Sequence, residues 1–183
     1  DGILYSMSIL KIARMGHPIL SVEAEPVSDP EAPEIHSLVS DMKETMLDAG
    51  GAGLAAPQVH VPLRIVVFQD PLITSNSNGE EVDSILTLIN PKIEILDSEY
   101  NFGMEACLSV PGLVGEVPRA KKILYSGVDL KGKLIEREAE DFHARVVQHE
   151  CDHLDGILYP MRMIDLSTLS FSSEIGHFSQ NKN

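Results

Sequence analysis

Residues 148–153 read Gln148-His149-Glu150-Cys151-Asp152-His153. At about 100° of turn per residue in an α-helix, His149 and His153 fall one turn apart on the same face. Both can then hold one metal ion, and Glu150 between them is close enough to handle a proton. This is the H-E-x-x-H pattern of metal hydrolases. Around it Asp141 reads as an N-cap, Phe142, Val146, Val147 and Leu154 recur at helical spacing, and Gly156 closes the pattern. A late helix carrying two metal ligands is the expectation. The bland alternative is a pair of hydrogen-bonded core histidines.

Working outward, Ser28-Asp29-Pro30 offers an N-cap and a proline near a helix start. Ile35, Leu38, Val39, Met42, Met46 and Leu47 then keep helical spacing until Gly50-Gly51 ends it, which predicts one long N-terminal helix. Strand-like runs follow at 63–68, 85–89, 93–96, 105–110, 114–117, 123–130 and 134–139, with 71–79 reading as a surface loop and Lys131-Gly132-Lys133 as a hairpin turn. The order helix, many strands, helix predicts an α+β domain, with short, mostly antiparallel sheets packed around the late helix. The tail from Ser167 reads as loosely ordered at its very end.

The 183 residues fit one domain with a real core, read here as 7–183. Met7-Ser8-Ile9 is taken as the natural start and residues 1–6 as a foreign remnant; Asp1 to Ser6 lacks the basic and apolar regions of a secretory signal. A net charge of −14, from 28 acidic and 14 basic residues, argues against non-specific binding to nucleic acid or anionic membrane. No apolar run reaches the roughly 18 residues of a membrane span. Two cysteines are too few for a disulfide scaffold, so a reducing, cytoplasmic setting is expected.

A catalytic metal needs a third protein ligand. A metzincin-type protease would place a histidine six residues after the second; Gly156 is kept, but Tyr159 stands at that place. A thermolysin-type protease would use a downstream glutamate on a second helix, and Glu174 lacks helical support. Cys107, within Glu105-Ala106-Cys107-Leu108-Ser109, is the third candidate, since a thiolate suits zinc or iron. Taken alone it could equally be a packed core thiol. Cys151, about 200° around the helix from His149, faces away and reads as an apolar filler.

With a third stretch, Gly51-Ala52-Gly53-Leu54-Ala55-Ala56-Pro57-Gln58, these segments resemble the three signature motifs of peptide deformylases in chain order. Those motifs are G-x-G-L-A-A-x-Q, E-G-C-L-S and Q-H-E-x-D-H, and the resemblance covers roughly residues 9–165. It implies removal of the N-formyl group from the initiator methionine of new proteins, with release of formate. By carry-over, Cys107, His149 and His153 would bind one metal, with water, the nucleophile, in the fourth position. Glu150 would be general base and then acid. The Gln58 side chain and the Leu108 backbone N–H would hydrogen-bond the formyl oxygen, and Gly53 would offer its carbonyl to the substrate. The glycines at 51 and 53 would let the backbone meet the peptide like an edge strand.

Gly51, Gly53, Leu54, Ala106 and Val146 are the expected substrate contacts, with the methionine side chain against Val146 and His149. Resemblance further implies Fe(II) as the working metal, with zinc, nickel or cobalt in purified protein. The expected partner is a formylmethionyl nascent chain, possibly met at the ribosome, and the expected state a monomer. Three departures stand out: Ala106 and Asp141 replace glycines frequent in the family, and Val114 lies near a usual arginine. A strained Ala106 would impair the enzyme, leaving a metal-holding peptide-binding module; a zinc endopeptidase is the weaker competitor. Arg119 is expected to pair with Glu105 and fix the cysteine strand. His17, His36, His60, His143 and His177 show no partner pattern and read as structural or surface residues.

Overall fold

The computed structural model describes residues 8–71 and 84–175. The stub at 1–6, most of the 71–79 loop, His177 and the last residues of the tail lie outside that range.

Among the described residues two α-helices and eight strands follow in chain order: α1 (Pro33–Asp48), β1 (Gly53–Ala55), β2 (Ile65–Gln69), β3 (Ile85–Ile95), β4 (Tyr100–Cys107), β5 (Val110–Ala120), β6 (Lys122–Val128), β7 (Leu134–Glu140), α2 (Asp141–Leu154) and β8 (Ser170–Phe171). One antiparallel sheet runs β1-β2-β3-β6-β7 and a second β4-β5-β8. The expected α+β class and antiparallel pairing hold.

The long N-terminal helix forms, but it begins at Pro33 rather than near Ser28. Proline's fixed φ suits the first helical position, while Asp29 closes a turn before it by accepting from Glu31 N. Ile35, Val39, Met42 and Met46 are buried and Leu47 is exposed, so the apolar stripe is narrower than the sequence suggested. The runs 85–89 and 93–96 are one strand bent at Asn90, whose φ is +52 and whose side chain bonds both N–H and C=O of Val27. The run 105–110 is a hairpin end instead of a strand, because Leu108 and Ser109 turn the chain between β4 and β5. At 131–133 the expected turn appears, with Gly132 at φ +68 and Asp129 Oδ1 accepting from Lys131 N and Lys133 N.

α2 starts at Asp141 itself, so Asp141 is not the cap. Its φ is +51, a left-handed backbone that glycine adopts without cost, and its carboxylate accepts from Asn101 Nδ2 at 2.7 Å. One face of α2 (Ala144, Val147, Cys151, Leu154) packs with Phe68, Leu88, Ile123 and Tyr125 of the five-stranded sheet. Each fully buried large side chain there is worth roughly 1.5–3 kcal/mol. The opposite face is left for the β4–β5 hairpin, and the site lies between.

Candidate metal centre

One buried group of metal-ligating side chains occurs among the described residues. The donor atoms of Cys107, His149 and His153 all lie within 4.8 Å of one another. The two histidines come from successive turns of α2. Cys107 comes from the last residue of β4, beside a register shift that tucks its side chain inward. Cys107 Sγ stands 3.4 Å from His153 Nε2. Cys151 faces the core, as its spacing implied, and burial pushes its thiol far up, keeping it protonated and inert.

The imidazoles are aimed by a buried polar network. His149 Nδ1 meets Glu105 Oε2 at 2.8 Å, which leaves Nε2 for the centre. Glu105 also takes two hydrogen bonds from Arg119, at 2.8 and 3.0 Å, and one from Arg145 at 2.9 Å. Burial alone would raise the Glu105 carboxyl; the Arg119 and His149 hydrogen bonds outweigh it and hold its pKa at about 2. The expected Arg119–Glu105 pair is thus present and buried, far from an ordinary solvated arginine. Arg119 reaches further, to Asp152 Oδ2 at 2.6 Å, so the x-D of the helix motif is tied to the cysteine strand.

Burial works against a charge on His149, but hydrogen bonds to Cys107 and Glu105 carry its pKa up to about 10. Burial and the neighbouring His149 charge hold His153 well below its usual value. One thiol, one imidazole backed by a carboxylate and one neutral imidazole form a donor set suited to a divalent zinc or iron ion. The residues present fit a metal.

Glu150 is fully buried, and burial lifts its carboxyl to about 7. Its Oε2 has no hydrogen-bond partner. Gly53 lies so close that a Cβ there would run into the Glu150 carboxylate, which gives this motif glycine a spatial reason. Gln58 is oriented from both ends: its Oε1 accepts from Ala55 N at 2.9 Å, so its amide N–H groups face Ser109 Oγ at 3.1 Å and Cys107 Sγ at 3.5 Å. The N-terminal strap fastens two motifs, Ala13 N donating to Gln58 O and Met15 N to Ser109 O, both at 2.7 Å.

A cavity of about 530 Å³ opens beside this cluster. Gly51, Gly53, Gln58, Ala106, Cys107, Leu108, Val146, His149 and Glu150 line it, as the motifs implied. Leu54 does not; it is wholly buried in the core under α1. His153 is not among the lining residues. Met104, Phe142 and Arg145 also line it, and the sequence marked none of them as a site residue. β1 is the edge strand of its sheet and β4 of the other, so the cavity is flanked by backbone able to pair with an extended peptide. Ala106 is not among the residues with positive φ, so its methyl brings no backbone strain. Val114 pairs opposite it on β5. Tyr159 is stacked on His149 and Glu174 lies in a short 3₁₀ turn, and neither joins the ligand group.

Residues 9–168 match the family model described as polypeptide deformylase. The chain belongs to that family. It is 50% identical over 161 residues to peptide deformylase 1 of Bordetella pertussis, covering 88% of this chain and 91% of that protein. Peptide deformylase 2 of Ralstonia nicotianae is 48% identical over 166 residues, 90% of this chain and 92% of the relative. A class I type b peptide deformylase from Acinetobacter baumannii, solved with Met-Ala-Ser bound, superposes with a TM-score of 0.77 at 36% identity, covering 86% of this chain and all of that one. The Thermotoga maritima enzyme gives a TM-score of 0.76 at 34% identity over 86% and 99% of the two chains. Membership in the deformylase family makes this chain an enzyme, a hydrolase, and the Cys107, His149 and His153 group at its centre could hold a metal ion. No helix among the described residues is long and apolar enough to cross a membrane.

Proposed function

We propose that this chain removes the N-formyl group from the N-terminal formylmethionine of newly made proteins, releasing formate. The observation that carries the reading is the meeting of Cys107, His149 and His153 beside a buried carboxylate at the end of a peptide-sized cavity. Cys107, His149 and His153 hold the metal. When bound, a divalent ion supplies the Lewis acidity that makes water a nucleophile near neutral pH.

Every other step falls to the chain's own groups. Glu150, with a pKa near 7 and a free Oε2, takes the proton of the attacking water and returns it to the leaving amine. Attack on the formyl carbon builds negative charge on the formyl oxygen. The Gln58 amide, its direction fixed by Ala55 N–H, and the Leu108 backbone N–H donate to that oxygen; one such donor is worth about 3 kcal/mol. Gly51 and Gly53 bring the β1 backbone alongside the substrate. Ala106 and Val146 flank it, and the methionine side chain enters along α2 beside Val146 and His149. Leu54 supports β1 from the core and makes no direct contact in this reading. Deep burial excludes bulk water from the reacting groups.

Fe(II) is the working metal in this proposal, carried over from the family resemblance; a thiolate beside two imidazoles suits zinc, nickel or cobalt as well, so these can substitute. Loading the apo-protein should restore several-fold more formate release with Fe(II) than with Zn(II); equal rates would refute the preference. Residues 7–183 are read as one catalytic domain. Two buried, unpaired cysteines support a reducing compartment, so the cytoplasm is proposed as its place and a nascent chain at the ribosome as its partner, met by a monomer.

The test is formate release from formyl-Met-Ala-Ser by Fe(II)-loaded protein. Turnover that is lost in Glu150→Ala with metal retained supports the assignment. Metal-loaded parent that releases no formate would instead mark a peptide-binding relative.

A further inference from the structure

We propose that Arg145 and Gly103 form a matched pair that closes the inner end of the side-chain pocket, so that this pair sets how large a first residue the enzyme accepts. The inference rests on the deformylase reading and adds the wall which limits its substrate.

Along α2, Phe142, Arg145, Val146, His149 and Glu150 all line the cavity, the spacing of one helix face. From His149 to Arg145 is four residues, about 6 Å of helix axis, comparable to the reach of an unbranched side chain of four heavy atoms. Arg145 is nearly buried, and its guanidinium cannot swing freely. Nη1 donates to Glu105 Oε1 at 2.9 Å and Val117 O at 2.8 Å, with Gly103 O at 3.4 Å; Nη2 donates to Asn101 O at 2.7 Å. A planar fork committed to several acceptors is a fixed wall.

Gly103 supplies the space for that wall. A Cβ built there would lie 3.0 Å from Arg145 Nη2, 3.1 Å from Cζ and 3.3 Å from Nε. The guanidinium therefore stands where the side chain of residue 103 would otherwise point. Gly103 is not among the glycines with positive φ, so the backbone does not demand glycine there. What disfavours a side chain there is the tight contact it would make with the guanidinium. The same guanidinium shares Glu105 with Arg119 and His149, so Arg145 is also a positioning residue for the metal helix.

The experiment compares metal-loaded parent, Arg145→Ala, Gly103→Ala and the double variant Arg145→Ala/Gly103→Leu on formyl-Met-Ala-Ser and formyl-Phe-Ala-Ser. Opening the wall in Arg145→Ala should raise the ratio of kcat/KM for the phenylalanine over the methionine peptide at least tenfold, mainly through KM. Calorimetric binding of the products Phe-Ala-Ser and Met-Ala-Ser should shift the same way. Refilling the space in the double variant should return the ratio to within about threefold of the parent. Gly103→Ala, which crowds the guanidinium, should lower the ratio or leave phenylalanine undetected. Both peptides falling in proportion in Arg145→Ala, or a double variant that fails to restore the ratio, would overturn the pair. Should Arg145→Ala not fold, Arg145→Lys, which keeps the stem and loses the fork, reads the same ratio. A parent that releases no formate from either peptide would sink the deformylase reading, while the product-binding ratios would still judge the wall.

Discussion

Glu105 accepts from two arginines and faces the metal-side imidazole through its second oxygen. A carboxylate behind a ligating histidine fixes ring orientation and raises ligand basicity. Glu105→Gln should therefore weaken metal binding about 10–100-fold, measured by competition with a chelator; unchanged affinity would remove its orienting role. Glu150 differs, because it is buried without a partner at Oε2. Glu150→Gln should cost about 10²–10⁴ in kcat at equal metal content. Gly53→Ala should be severely impaired while still folded, since its methyl would collide with the Glu150 carboxylate. The positions of these groups were legible in the motifs, where each residue type at its spacing has a chemical reason. Arg145 was not. An arginine four residues before a histidine reads as a solvated charge until the hairpin that receives it is known.

At the scale of elements, the clip between the β4–β5 hairpin and α2 is ionic and buried. Arg119 spans Glu105 and Asp152, and Arg162 adds bonds of 2.8 and 3.1 Å to Asp152. Removing one partner of a buried pair leaves the others uncompensated, which costs about 3–5 kcal/mol. Arg119→Met should lower unfolding free energy by that order in urea titration. Lys121→Ala, which breaks a solvent-exposed pair with Glu99, should leave the curve unchanged. Periodicity gave both helices and most strands away. It failed at the Leu108-Ser109 turn because that pair carries none of the Asn-Gly or Asp-Gly chemistry of tight hairpins. It also ended the first helix one residue too apolar, since Leu47 lies just beyond the face that α1 buries. β8 escaped notice because two residues carry no period.

For the whole molecule, topology was the least legible property. β3 pairs with β6, and the β4–β5 hairpin leaves from between them to form the second sheet across α2. No local signal encodes that excursion; it follows from α2 having a buried apolar face and a polar face that both need covering. His143 shows what the packing does to titration. Burial lowers its pKa below the usual 6.5, and its Nε2 lies 3.2 Å from Tyr125 OH against the sheet. Between 6.5 and the lowered folded value the unfolded chain binds the proton and the folded chain does not. Stability from this site is thus full above 6.5 and declines as pH falls through that window. The drop in Tm from pH 7.5 to 5.0 should be smaller in His143→Gln than in the parent, and an equal drop would assign the acid sensitivity elsewhere.

The most direct measurement is the visible absorption of the protein loaded with Co(II). Thiolate ligation from Cys107 should give an intense sulfur-to-cobalt charge-transfer band that persists in Cys151→Ser and disappears in Cys107→Ser. A band that survives Cys107→Ser, or no such band in fully loaded parent, would contradict a centre built from Cys107, His149 and His153.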